Sequence, residues 1–186
     1  MSLQQRLSFK NIPRILALAF YYLLCRWLPN SSFPILGKPS KKLRYFCCKI
    51  IFKKCGRDVN VERGACFGCG FEVEIGDRSG IGINCHMPSD TIIGSNVNMG
   101  PEVYILARNH AFDRTDIIMQ NQGYYPPRQT VIGDDVWIGR QVLMTPGRTI
   151  SRGTIIGAGC VLTKDFPEYS IVGGNPSKFI RSRLQK

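Results

Sequence analysis

The sequence predicts a mainly β chain in which short parallel strands wind into a three-sided coil. From residue 75 onward an aliphatic or methionine side chain recurs every six residues, in two runs separated by a gap. These positions are Ile75, Ile81, Met87, Ile93, Met99, Ile105, and then Ile132, Ile138, Met144, Ile150, Ile156 and Leu162. Nine of the twelve residues that lie four positions further on are Ser, Cys, Thr or Val. A period of six fits neither a 3.6-residue helix nor an alternating strand, but it fits a parallel β-helix with one inward side chain per face.

Residues 1–57 form the first predicted region, a basic and apolar helical segment. They hold twelve Lys or Arg residues and no Asp or Glu, so the whole formal net charge of +12 lies in this region. The apolar run 15–25 is shorter than the roughly 18 to 20 residues of a membrane span. Two interpretations stay open: an interfacial helix on the inner face of the cytoplasmic membrane, or a helix docked on its own domain. No small-residue cleavage site follows the run, so we expect the segment to be retained.

The eight cysteines are scattered without a paired framework. We therefore expect reduced thiols and a cytoplasmic protein. Cys66 and Cys69 form one CxxC, but a tetrahedral zinc site needs four ligands, and neither a second pair nor a nearby His supplies them. We expect no metal. Cys160 lies at a small-residue position of the repeat, where it is expected to fill the core and not to act as a nucleophile.

The β-helix is predicted over residues 58–172, because Val61, Phe67 and Val73 keep the six-residue spacing upstream, one register out. Glycine follows seven of the twelve aliphatic positions, where we expect corners that need a positive φ. After the repeat, Gly173 and Gly174 precede an Asn-Pro pair. This pattern predicts a turn that opens into a short C-terminal cap helix over residues 173–186.

The repeat is interrupted by a loop over residues 106–131. Ile105 and Ile132 are 27 positions apart, which is not a multiple of six, so the chain must leave the coil and return. Long excursions from a compact scaffold are often functional. This one contains His110, one of two histidines in the chain, and histidine is well suited to take a proton from a hydroxyl near neutral pH.

Three stretches of the sequence carry a resemblance to a known family. They read VIGDDVWIG, IIGAGCVLTKDFP and SIVGGNPSKFIRSR, from residue 131 to residue 183. With the six-residue repeat, they resemble the hexapeptide-repeat acyltransferases, and in particular the maltose, galactoside and polysaccharide O-acetyltransferase branch. Over residues 58–183 this resemblance implies a left-handed β-helix, a homotrimer with active sites between subunits, and acetyl-CoA as the acetyl donor.

The resemblance also implies roles for individual residues. His110 matches the catalytic base, with Asp113 placed to orient its imidazole, in a direct transfer whose oxyanion is stabilised by a backbone N–H. The matching acceptor-binding candidates are Asn84, His86, Asp90 and Asn109. His86 departs from the family pattern, which commonly has Asn there, and this leaves the acceptor's identity open. The matching cofactor-binding candidates are Trp137, Gly139, Arg140, Gly157, Ala158, Thr163, Lys164, Pro176, Lys178 and Arg181.

Several functions compete with this interpretation. Zinc-dependent carbonic anhydrases of the same architecture use three histidine ligands, whereas this chain has two histidines. Nucleic acid is not an expected partner, because the N-terminal cations accompany an apolar run and the repeat region is charge-balanced. A non-catalytic scaffold at a membrane surface remains a different class of function. Within the enzymes, a sugar hydroxyl in surface polysaccharide biosynthesis is favoured, and N-acetylation of an aminosugar or xenobiotic is the alternative.

Overall fold

A computed structural model describes residues 11–185, and its N-terminal part is helical. Helix α1 spans Ile12–Leu23, a short 3-10 turn follows at Cys25–Trp27, and helix α2 spans Gly37–Ile51. Pro13 lies in the first turn of α1, where its missing N–H costs no hydrogen bond. The two helices pack against each other, and α2 also packs against the first two strands of the chain.

The strands form the three faces of a parallel coil. The first face contains β1 Lys54–Cys55, β3 Glu74–Ile75, β5 Ile92–Ile93, β8 Val131–Ile132 and β11 Thr149–Ile150. The second contains the pair β2 Asn60–Val61 and β4 Gly80–Ile81, followed by β6 Asn98–Met99, β9 Trp137–Ile138, β12 Ile155–Ile156, β14 Ser170–Gly173 and β15 Lys178–Ser182. The third contains β7 Tyr104–Ile105, β10 Leu143–Met144 and β13 Val161–Leu162, and it is extended by single bridges through Cys66 and His86.

The interior of the coil confirms the predicted repeat. All twelve aliphatic or methionine positions are buried, with at most 6% of any side chain exposed. The nine small or β-branched residues four positions further on are buried as well. Each strand therefore places one residue inward and its neighbour outward, as the period-2 geometry of a strand requires. The apolar column and the small-residue column together fill the interior.

The expectation that the glycines after the aliphatic positions adopt a positive φ is wrong. The left-handed conformation lies two residues later, for example at Arg78, Asn84, Asp135 and Gly159. The glycines are required by close approach between coils instead. A Cβ added at Gly82 would lie 2.2 Å from the carbonyl oxygen of Gly100 in the next coil, which is far inside van der Waals contact.

The first coil is longer than those that follow it, and it supports the N-terminal helices. Strand pairing sets Cys55 opposite Ile75, a step of twenty residues, whereas Ile75 pairs with Ile93, a step of eighteen. The two extra residues explain the register change seen in the sequence. At this wider corner the carbonyl oxygen of Phe71 accepts a hydrogen bond from Arg14 of α1 at 2.7 Å, and the guanidinium lies 4.3 Å from the Phe71 ring.

A buried polar cluster ties both helices to the coil. The Arg44 side chain of α2 is fully buried and donates to the carbonyl oxygens of Pro29 and Val61. Its guanidinium lies 3.5 Å from the Glu62 carboxylate, which also accepts hydrogen bonds from Ser31. The N-terminal segment therefore does dock on its own domain, which was one of the two interpretations. The first strand, β1, begins four residues before the expected boundary at residue 58.

The predicted C-terminal cap helix over residues 173–186 is wrong. Strand β14 continues the second face, and the chain then turns back so that β15 pairs with it in the antiparallel direction. A returning strand satisfies the open edge of β14 with backbone hydrogen bonds and so closes the end of the sheet. Phe179 and Ile180 lie exposed on this strand.

The described residues contain neither a membrane-spanning helix nor a cluster of metal ligands. Between residues 11 and 185, no helix has both the length and the apolar character needed to cross a bilayer. In the same part of the chain, no group of three or more His, Cys, Asp or Glu side chains is arranged to hold a metal ion.

Candidate active site

The 106–131 loop leaves the coil at the corner between the third and first faces. Its two halves run side by side, with an antiparallel bridge between His110 and Tyr124. The ring centroids of these residues are 4.3 Å apart. The Arg108 guanidinium lies 5.8 Å from the same tyrosine ring. The imidazole is thus held at an exposed position by an aromatic neighbour from the returning half of the loop.

In the part of the chain that the structure describes, Asp113 makes no contact with His110. Its carboxylate instead acts on the hydroxyl of Tyr125, and this interaction is the main reason that the pKa of Tyr125 is raised. The Tyr125 oxygen also accepts a 3.4 Å hydrogen bond from the backbone N–H of Phe112. No contact between Asp113 and His110 therefore supports the expected orientation of the imidazole by Asp113. Asp113 instead stabilises the loop through Tyr125.

A cleft of about 480 Å³ lies beside the loop. The start of the loop contributes Arg108 and Asn109, and its return contributes Tyr125 and Arg128. The corners that follow β10 and β13 form the opposite wall. They contribute Thr145, Pro146, Arg148 and Thr163. The cleft thus joins the neighbourhood of His110 to one of the predicted cofactor residues, and its three arginines make it suited to an anionic ligand.

The acceptor-binding candidates occupy different parts of the coil. Asn84 is exposed at the corner between the second and third faces, with φ 54°. His86 points outward on the third face, where its ring stacks on Tyr104 with centroids 5.2 Å apart. Asp90 lies at the corner below the loop, and its carbonyl oxygen accepts a hydrogen bond from the side chain of Gln129. Asn109 lines the cleft.

The first half of the predicted cofactor set follows the corner between the second and third faces. Trp137 is exposed on β9, just before this corner. A Cβ on Gly139 would lie 2.5 Å from the backbone nitrogen of Ala158. Arg140 forms a 3.1 Å ion pair with Glu102 one coil below. Gly157 and Ala158 continue the same corner, and a Cβ on Gly157 would have no neighbour closer than 3.4 Å. Because these corner residues have small or no side chains, the edge that they form has room for an extended ligand arm.

The second half of the set gathers near the C-terminus. The hydroxyl of Ser177 accepts a hydrogen bond from the backbone N–H of Thr163, which places the neighbouring Pro176 beside β13. Lys164 is exposed and lies 5.5 Å from the Phe166 ring. Lys178 and Arg181 are exposed on β15. Lys178 and Arg181 thus lie beside β14 on the second face, whereas Lys164 follows β13 at the corner between the third and first faces. Cations of this kind suit a polyanionic ligand.

One chain therefore places the two parts of the predicted site on different edges of the coil. His110 and the cleft lie where the third face meets the first, whereas Gly139 and Gly157 lie where the second face meets the third. The third face separates them. The contacts of Tyr124 and Tyr125 were not predicted from the sequence. The doubled tyrosine in the same excursion as His110 was the signal available.

Comparison with known proteins gives the chain a family context. Residues 129–164 match the bacterial transferase hexapeptide (six repeats) family. A stretch of 62 residues is 52% identical to chloramphenicol acetyltransferase of Agrobacterium fabrum, and covers 33% of this chain and 30% of that protein. The chain spans only 30% to 61% of the length of the first curated relatives that it matches.

Two solved structures share the fold along most of the chain. A maltose O-acetyltransferase from Clostridium difficile 630 is 28% identical with a TM-score of 0.70, over 93% of this chain and 89% of that one. A galactoside acetyltransferase in complex with coenzyme A is 25% identical with a TM-score of 0.72, over 98% of this chain and 91% of that one. The repeat match and the shared fold agree with the resemblance: the chain carries hexapeptide repeats and has the left-handed β-helix fold of the maltose and galactoside O-acetyltransferases.

Proposed function

We propose that the protein is an acetyl-CoA-dependent O-acetyltransferase that acts on a sugar hydroxyl, in the biosynthesis of a surface polysaccharide. The observation that carries the proposal is the fold shared along nearly the whole chain with a galactoside acetyltransferase in complex with coenzyme A. The maltose O-acetyltransferase supports the same acceptor class. His110 is exposed and directly follows Asn109, which lines the arginine-rich cleft, and this position supports general-base chemistry.

The proposed cofactor site lies along the edge at Gly139, Gly157 and Ala158. Its residues fit a thin, extended ligand arm, because the space that a Cβ on Gly157 would occupy is open. Lys164, Lys178 and Arg181 would hold the phosphates. When bound there, acetyl-CoA supplies an activated acetyl group as a thioester.

His110 is the proposed base for the transfer. Its imidazole takes the proton from the acceptor hydroxyl while the hydroxyl oxygen forms the new C–O bond, and it returns this proton to the leaving sulfur. No covalent acyl-enzyme is needed. Cys160, the cysteine nearest in sequence to the cofactor edge, is buried and its thiol pKa is raised by desolvation, which opposes a role as a thiolate nucleophile.

A homotrimer completes the proposed site. Because one chain leaves His110 and the Gly139 edge on different sides of its third face, a loop from a neighbouring copy would bring the two together. The family resemblance supports this arrangement. Light scattering of the purified protein tests it, and a monomer at micromolar concentration would contradict it.

The decisive experiment measures thiol release from acetyl-CoA across a panel of sugar and amine acceptors. We expect a sugar to be the best acceptor, and His110→Ala to lower kcat by about 10² to 10⁴-fold, the usual contribution of a general base. His86→Ala is the matched control, because it removes the other histidine and is expected to change the acceptor KM more than kcat. Full activity of His110→Ala would overturn the base assignment.

A second acceptor class also has an observation in its favour. The 52% identity to a chloramphenicol acetyltransferase makes a xenobiotic acceptor, or N-acetylation of an aminosugar, the alternative. The same panel decides between them by product identification. Absence of thiol release with every acceptor would favour a non-catalytic scaffold.

A further inference from the structure

The N-terminal helices expose an apolar face that the fold does not use. On α1, five large apolar side chains lie at spacings of four, four, three and four residues and so share one side of the helix. They are Ile12, Leu16, Phe20, Leu23 and, just beyond the helix, Trp27. Leu23 is 81% exposed and Trp27 is 59% exposed. Side chains of this size are ordinarily withdrawn from water, and a contiguous group of them marks an interaction surface.

The second helix extends this face. Leu43, Phe46 and Ile50 lie at spacings of three and four residues along α2, and all are exposed. In the connection between the helices, Phe33, Ile35 and Leu36 are exposed as well. Ile35 is 93% exposed and has φ 65°, a conformation that a β-branched residue rarely adopts. We call these eleven residues, from Ile12 to Ile50, the apolar face.

The sides of the two helices that lie opposite the apolar face pack against the coil. Tyr21 and Cys25 are fully buried on the inner side of α1, and Cys48 and Ile51 on the inner side of α2. The Tyr21 hydroxyl donates to the carbonyl oxygen of Ala65 at 2.9 Å. Among residues 11–185, the helices are therefore held to the coil by their inner sides, and the apolar face stays exposed.

The charge around the apolar face indicates which partner. Lys38, Lys42 and Lys49 are exposed on one side of α2, at spacings of four and seven residues. Residues 11–57 contain no Asp or Glu. The two arginines that point inward, Arg14 and Arg44, are hydrogen-bonded within the protein. The exposed cations along α2 are thus lysines that border apolar side chains, which is the pattern of a surface for anionic lipid.

We propose that the apolar face docks on an anionic lipid surface, with both helices lying parallel to it. Helix α1 has twelve residues, about 18 Å at 1.5 Å per residue, which is too short to cross a hydrocarbon core of about 30 Å. The apolar side chains enter the headgroup boundary while the lysines contact lipid phosphates. This inference goes beyond acetyl transfer and stands if that activity is absent.

The test is cosedimentation of the full-length protein with phosphatidylglycerol/phosphatidylcholine vesicles, compared with phosphatidylcholine alone. We expect binding to the anionic vesicles that weakens as salt is raised, because charges near the surface are screened. Lys42→Glu should lower the partition coefficient at least about fivefold, the factor that corresponds to one lysine at an anionic surface. Leu23→Asp should lower it further by placing a charge in the apolar contact.

Two matched controls distinguish binding through the apolar face from nonspecific binding to vesicles. Ile118→Asp alters an exposed apolar residue in the 106–131 loop, and Arg152→Glu reverses an exposed cation in the coil; both should bind vesicles like wild type. Thermal unfolding confirms that each variant is folded. The proposal is overturned if wild type ignores anionic vesicles or if all four variants bind equally. It is also overturned if Leu23→Asp instead lowers the mass of the assembly in light scattering, since the face would then join copies of this chain.

Discussion

His110 and Tyr124 lie ring against ring across the two halves of the 106–131 loop, with centroids 4.3 Å apart. The contact comes from the returning half of the loop, fourteen positions further along the chain. The imidazole orientation thus depends on how the loop closes, and less on the residues next to His110 in sequence.

Tyr124 is therefore expected to be a positioning residue. Tyr124→Ala should lower kcat by up to about 10²-fold, since a small misplacement of a catalytic group can cost this much, while the KM for acetyl-CoA stays near the wild-type value. Tyr124→Phe keeps the ring and should keep kcat. Steady-state kinetics of both variants provide the measurement, and equal losses in the two would mean that the hydroxyl, not the ring contact, matters.

Asp113 and Tyr125 should act as one unit. Because the Asp113 carboxylate raises the pKa of Tyr125, Asp113→Asn should bring the tyrosine titration back toward its ordinary range, observed by ultraviolet absorbance against Tyr125→Phe. In kcat, the two single variants and the double variant should show a coupling energy of about 0.5 to 3 kcal/mol, as for residues in contact. Strict additivity would show that Asp113 acts independently of Tyr125.

Two neighbouring glycines should respond differently to alanine. In Gly139→Ala the new methyl group would meet the Ala158 backbone nitrogen at 2.5 Å, so we expect a loss of stability of about 1 to 3 kcal/mol. Gly157→Ala has no contact under 3.4 Å and should unfold like wild type, but with a raised KM for acetyl-CoA because it narrows the proposed groove. Thermal melts and kinetics measure both effects. An unchanged KM for acetyl-CoA in Gly157→Ala would show that the groove does not pass Gly157.

The buried Arg44 should carry much of the attachment of α2 to the coil. Removing one member of a buried ion pair leaves the other charge unpaired, so Arg44→Ala should lower the free energy of unfolding by about 3 to 5 kcal/mol. Lys42→Ala, at an exposed position on the same helix, is the control and should change it by about 0.5 kcal/mol or less. Urea denaturation of the two variants distinguishes these outcomes.

Glu62 should make stability depend on acidity. Burial acts to raise the pKa of Glu62, but hydrogen bonds from Ser31 and Asn60 and the charge of Arg44 outweigh it, so the pKa is lowered in the fold. The ionised carboxylate therefore stabilises the protein above the ordinary carboxyl pKa of about 4.3, and this contribution is lost as the pH falls through the lowered value. The stability difference between wild type and Glu62→Gln should shrink below about pH 4. A difference that is constant with pH would contradict the assignment.

Much of the fold was predictable because the β-helix is a local repeat. Each coil buries its apolar column against the next one, so a side chain such as Ile138 or Met144 must recur at a fixed period, and the period is visible in the sequence. The C-terminal helix was wrong for the opposite reason. The pairing of β15 with β14 depends on an open strand edge that exists only once the coil has formed.

Sequence alone determined the repeat, its interruption, the separation of charge between the two parts of the chain, and His110 as the one histidine in the loop. These follow from residue order and period. Only the tertiary structure decided that Asp113 interacts with Tyr125, that the rings of Tyr124 and His110 meet, and that large apolar side chains of both α1 and α2 stay exposed. Each of these depends on contacts between residues distant in the chain, and such contacts are set by packing and loop closure, which leave no periodic trace in a sequence.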